Sequence, residues 1–170
     1  VNNKPINRIC TDNTMGYASS LPRRIEKPFI VSSSNQLKDI TIYEPKEYNP
    51  NQVFIDALNC TIIPSNKIGF VSPSYSVDTI NSVISSNDAI VFTPGIYSID
   101  KTINIQNKLI YGLGLPRLQS TNGSQNILEG SGRICGIICK SSENLSNTNT
   151  LVQITGESNI WDVYCMVGGD

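Results

Sequence analysis

The stretch Asp88–Gly114, DAIVFTPGIYSIDKTINIQNKLIYGLG, decides how the rest of the chain is read. Ala89–Phe92 is an apolar run that stops at Thr93-Pro94-Gly95. Ile96–Ile99 resumes it. Thr102, Asn104 and Gln106 then alternate with Ile103 and Ile105, and Leu109–Leu113 follows Asn107-Lys108. Strands this short, divided by Pro, Gly and Asn, belong to a fold that turns a corner every few residues.

The layout recurs downstream. Leu109–Leu113 is echoed by Arg133–Cys139 and again by Ile160–Val167, with Thr102–Gln106, Gln125–Glu129 and Leu151–Thr155 as a second series. Both series step by about 25 residues, a period that in strand-bearing units marks a solenoid. The solenoid whose coil consists of short strands and corners is the parallel β-helix. Ser76–Ile84 is the best helical pattern: Ser76 can act as N-cap, Asp78 suits the first turn, and Val77, Ile80, Val83 and Ile84 form one stripe. A single amphipathic helix ahead of a solenoid is placed to cover its first open end.

Residues 1–75 read as an irregular β region or arm lying on the solenoid, and residues 76–170 as the capping helix followed by the first coils. In the first part Val1–Ser20 lacks a period, and Leu21–Pro28 is extended because each proline biases its predecessor away from helix. Phe29–Val31, Ile40–Tyr43, Gln52–Ile55, Thr61–Ile63 and Gly69–Val71 are strand candidates there, rich in β-branched and aromatic residues.

Composition narrows the function. A 170-residue chain can bury about 70% of its unfolded surface without metal or disulfide. Charged residues are 16%, the net charge is −1, and no basic run exceeds Arg23-Arg24, which argues against nucleic acid as a partner. No apolar stretch is long enough to span a membrane. There is no histidine, so the commonest general base and metal ligand is missing, and neither metal nor cofactor is expected. The sequons at Asn59, Asn122 and Asn144 suit a secreted or cell-surface protein. Five cysteines form no CxxC pair, and an odd count leaves at least one free thiol or an intermolecular bond.

The helix followed by AIVFTPGIYSIDKTINI resembles the opening of pectate-lyase-superfamily β-helix proteins. LIYGLGLPRLQSTNG, KPFIV near residue 28 and VYCMVGG at the end resemble the secreted group related to the β-1,3-glucanases of glycoside hydrolase family 55. The similarity runs over most of Pro22–Gly169. It implies an all-β, right-handed parallel β-helix and a carbohydrate-active parent protein. In that family the catalytic acid comes from coils further along than this chain extends, so no catalytic residue is carried over.

Stacking the repeats at this step gives three columns: Tyr111–Cys135–Trp161, Leu113–Ile137–Val163 and Leu115–Cys139–Cys165. Trp161, Val163, Cys165 and Val167 form a wholly apolar set and are placed inside. Ile110, Ile134 and Ile160, with Gly112, Gly136 and Asp162, then face outward. An isoleucine row on a wet face requires either a covering layer, for which the glycines would leave room, or a one-residue slip that swaps the faces. Cys139 and Cys165 become neighbours, as a disulfide or as a buried thiol stack. Glycoside hydrolysis needs two carboxyls about 5–9.5 Å apart. Asp162, within an outward strand, is the candidate catalytic residue among Asp100, Glu129, Glu143, Glu157 and Asp170, and Tyr164 is the candidate for sugar contact.

The chain ends after a strand with no closing helix, so a partner chain or the remainder of a longer protein is expected over the last coil. Two readings follow. One is the N-terminal, itself non-catalytic, part of a secreted carbohydrate-active β-helix protein. The other is a structural or assembly module of an extracellular complex.

Overall fold

A computed structural model describes residues 9–11, 14–16, 26–32, 39–46, 60–121, 126–142 and 150–167. The Gln52–Ile55 strand, the three sequons, Glu143 and Asp170 lie outside the described residues. Two compact units are present, Val1–Ile62 and Ile63–Asp170. In the first, β1 (Ile9–Thr11) pairs antiparallel with β2 (Thr14–Gly16). β3 (Phe29–Ser32), β4 (Ile40–Pro45) and β5 (Cys60–Ile63) form a small sheet in that order. β3 and β4 are antiparallel, and the rings of Phe29 and Tyr43, paired across them, stack at 5.3 Å.

The second unit is a winding of parallel strands. A 3-10 turn (Ser65–Lys67) leads into β6 (Ile68–Val71), then α1 (Val77–Ser86). The coils follow: β7 (Ala89–Phe92), β8 (Ile96–Ile99), β9 (Ile103–Asn104), β10 (Leu109–Gly112), β11 (Arg117–Ser120), β12 (Leu128–Lys140) and β13 (Val152–Met166). β6, β7, β10, the middle of β12 and β13 stack as one parallel face. β8, β11 and the end of β12 stack as a second. β9 joins the start of β12. β6 thus enters the winding ahead of the helix, paired Ile68 with Ala89 through Val71 with Phe92.

α1 caps the first coil as its sequence implies. Ser76 Oγ accepts from Thr79 N at 3.2 Å, and Val77, Ile80 and Ile84 are buried in the core. Asn81 completes the seal. Its amide nitrogen donates to Thr102 O at 3.1 Å, and its carbonyl oxygen accepts from Asn104 N at 2.9 Å. One side chain therefore stands in for a missing strand on the free edge of β9, where unpaired backbone groups would otherwise stay open. Tyr97 locks the first corner: its hydroxyl donates to carbonyls and lies 2.8 Å from Val71 O and 2.9 Å from Thr93 O.

The expected faces are corrected by one bend. Ile110 and Ile134 of the row expected outside lie in the core with Ile90, fully buried, whereas Ile160 in the last described coil is 47% exposed. Ile137, Cys139 and Val163 also pack on the core. Both sets can be inside because Gly136 (φ +69) and Asp162 (φ +50) sit between them in the left-handed region. One such residue resets the strand alternation, so Ile134 and Ile137, three residues apart, both point inward. Gly112 and Gly136 do leave room for a backbone, but it is each other's. A Cβ on Gly112 would run into the carbonyl of Gly136 in the next coil.

The columns hold in part. Tyr111–Cys135–Trp161, Ile137–Val163 and Cys139–Cys165 are register partners, as read from the repeat. Leu113 and Leu115 are not in these columns; Leu118 stands beside Cys139. The earlier coil makes its corner with Leu113-Gly114-Leu115-Pro116, where the later ones use Gly136 or Asp162 alone.

Candidate functional site

Beyond the Gly136/Asp162 corner, the strands regain strict alternation. Tyr97, Leu118 and Cys139 are buried, so their neighbours face outward. The pairing sets these neighbours in two rows across four coils. One is Ile96–Arg117–Ile138–Tyr164 and the other Ser98–Gln119–Lys140–Met166. Strand neighbours in such a row stand about 4.8 Å apart. Between Gly95, Leu115 and Met166 the face sinks into a groove of about 420 Å³, with Arg117 and Ile138 in its floor.

Asp162 and Tyr164 are both exposed, Tyr164 in the outward row because Val163 before it packs inward. Tyr164 is 54% exposed, opposite Ile138. Asp162 occupies the corner opposite Gly136, held in a conformation that Asp adopts more readily than most residues. Among the described residues it is the only carboxylate at these two rows and their corner. Other described carboxylates serve elsewhere. Asp78 pairs with Lys101, Asp88 lies 3.8 Å from Lys108 Nζ, and Glu129 accepts from Asn126 Nδ2 at 3.0 Å. Among the described residues, these rows and their corner bring together no second carboxylate of the kind glycoside hydrolysis needs. Among the described residues no group of three His, Cys, Asp or Glu could hold a metal ion. No helix of the described residues is long and apolar enough to cross a membrane.

Cys139 and Cys165 are brought together as free thiols. Of the disulfide and the thiol stack read for this pair, the structure has the thiols. Directly paired residues of parallel strands project in the same direction about 4.8 Å apart, whereas a bridge needs Cβ atoms nearer about 3.8 Å. Burial pushes the Cys139 thiol far above its ordinary range, with the Cys165 charge adding to it, and burial also raises Cys165. Neither is primed as a nucleophile. Cys165 and Trp161, read as interior, are exposed and half-buried respectively, because no described strand lies beyond β13.

The groove and Arg117 were not read from the sequence. The available signal was Leu113-Gly114-Leu115-Pro116, an apolar corner longer than those of the later coils.

A pile of parallel coils with one helical end cap and a decorated outer face is a β-helix of the pectate-lyase type. The chain belongs to the LAM55 pectate lyase-like domain family, whose model matches residues 68–170. It is 25% identical, over 63% of its length, to an exo-β-1,3-glucanase of Streptomyces sp. (strain SirexAA-E / ActE). It resembles the solved structure of sacteLam55A from Streptomyces sp. SirexAA-E with a TM-score of 0.72 and 23% identity over 87% of this chain. A variant of that protein in complex with glucose gives a TM-score of 0.70 and 24% identity over the same share. The chain spans 20% of the length of the curated relative and 29% of each solved one.

Proposed function

We propose that this chain is the scaffold-forming part of a secreted, carbohydrate-active β-helix protein that acts on β-1,3-glucan and does not itself supply the hydrolytic pair. The family match over the coils supports the substrate class. The single observation that carries the non-catalytic assignment is the lone carboxylate, Asp162, on the outer face. Tyr164 is the group offered to sugar, since an exposed ring can stack on the apolar side of a pyranose.

The test is incubation of the chain with a soluble β-1,3-glucan, reading new reducing ends and binding heat separately. Binding without cleavage is expected, weakened about threefold by Tyr164→Ala and unchanged by Asp162→Asn. Release of sugar that Asp162→Asn abolishes would overturn the assignment. Secretion is tested by intact mass before and after deglycosylation from a secreting eukaryotic host, with added mass expected at Asn59, Asn122 or Asn144.

Ile96 and Leu115, large apolar side chains exposed on the outer face of the earlier coils, favour the second reading, an assembly module. Light scattering separates the two: a concentration-dependent oligomer that glucan leaves intact supports assembly, and a monomer that binds glucan supports the first.

A further inference from the structure

The groove at the Leu115 corner has four features that sugar contact does not explain. First, its apolar side chains are turned to solvent: Ile96 is 52% exposed, Leu115 45% and Met166 40%. Second, Leu115 is held at φ +56. That region is costly for a branched L-residue, and the following Pro116 pushes its predecessor toward extended backbone instead. Strain of this kind persists where the surroundings fix it, and it gathers at binding surfaces. Third, the Arg117 guanidinium on the groove floor and the Lys140 ammonium in the neighbouring row take no side-chain partner among the described residues, although Lys140 is only 6% exposed. Fourth, no Asp or Glu lines the groove or stands in either row.

An apolar trough with unanswered positive charge is complementary to a segment that is apolar and negative. We propose that the groove docks a protein segment in which one carboxylate is flanked by aliphatic side chains. The carboxylate pairs with Arg117, and the flanking side chains seat on Ile96, Leu115, Ile138 and Met166. Arginine suits this task because its planar fork meets a carboxylate through two parallel hydrogen bonds while its stem lies on apolar surface. The inference is independent of the glucan reading, because it concerns different groups and a different class of ligand.

The full chain, labelled at its Ile, Leu and Met methyl groups, is titrated with two capped pentapeptides. Each has a central residue between two pairs of leucines, glutamate in one and glutamine in the other. With the glutamate peptide the methyl signals of Ile96, Leu115, Ile138 and Met166 are expected to shift and saturate. Binding should be about tenfold weaker for the glutamine peptide, and for the Arg117→Gln protein with either peptide. Leu115→Asn provides an independent arm. Asparagine tolerates the left-handed region, so the thermal midpoint should hold or rise while affinity falls. Equal affinity for the two peptides would overturn the proposal. So would shifts confined to Ile160 and the β13 edge, no response at millimolar peptide, or a soluble β-1,3-glucan moving these methyls when neither peptide does.

Discussion

The first coil and the last described coil are made from the same kind of strand and are covered to different extents. At the first coil, α1 lays Val77, Ile80 and Ile84 into the core, and Asn81 answers the N–H of Asn104 and the carbonyl of Thr102. In the last described coil β13 runs for 15 residues, pairs with β12, and has no further described partner. Its Ile160 and Tyr164 are 47% and 54% exposed, and Val167 just after it 73%. A coil therefore has no fixed stability of its own. What it contributes depends on whether a neighbour covers both its faces, as nearest-neighbour models of repeat proteins require.

The sharpest way to break this comparison uses one column. Ile134 and Ile160 are register partners in successive coils, the first fully buried and the second nearly half exposed. Ile134→Ala should cost about 3 kcal/mol, and Ile160→Ala under about 1 kcal/mol, by urea unfolding. Equal losses would mean that the last coil is as well covered as the one before it. Next in size is Asn81→Ala, which removes two hydrogen bonds to the first coil's edge. A loss of about 1–2 kcal/mol is expected, whereas a polar-to-Ala change at exposed Thr155 on β13 should be near neutral.

The corner residues give a smaller contrast. Gly136→Ala places a side chain at φ +69 against the backbone of Gly112, costing about 1–2 kcal/mol. Asp162→Gly relieves the same conformation and should change stability by no more than about 0.5 kcal/mol. The last contrast appears only in alkali. Cys139 keeps its proton in the folded chain above the ordinary thiol value of 9.0, because burial disfavours the thiolate. Its stabilisation is complete below that value. It is lost as pH rises, because the unfolded chain ionises first and the folded thiol resists. The urea midpoint should therefore begin to fall near pH 9.0 and keep falling above it, and Cys139→Val should flatten that fall. Tyr97, also raised by burial, adds a later decline.

The parallel winding, its helical cap and most of its register were legible in the sequence, because Pro-Gly punctuation and the recurring apolar strands are local signals. The isoleucine row was misplaced because strand alternation was carried through Gly136 and Asp162, where a left-handed residue resets it. The first coil's columns slipped for a related reason: its corner at Leu113–Pro116 is longer than the later ones. β6 was grouped with the N-terminal region because Gly69-Phe70-Val71 lies on the far side of the helix from the repeat it joins. The groove depends on that unforeseen long corner, and Arg117 faces it only in the pairing the corner imposes. Tyr164 was found on the expected side because it follows an inward valine.

The central claim is that coils are secured by neighbours on both sides. Amide hydrogen exchange resolved along β12 and β13 tests it most directly. Amides throughout β12 should exchange only with global unfolding. Alternate amides of β13, those turned away from β12, should exchange orders of magnitude faster. Uniform protection along both strands would contradict the account.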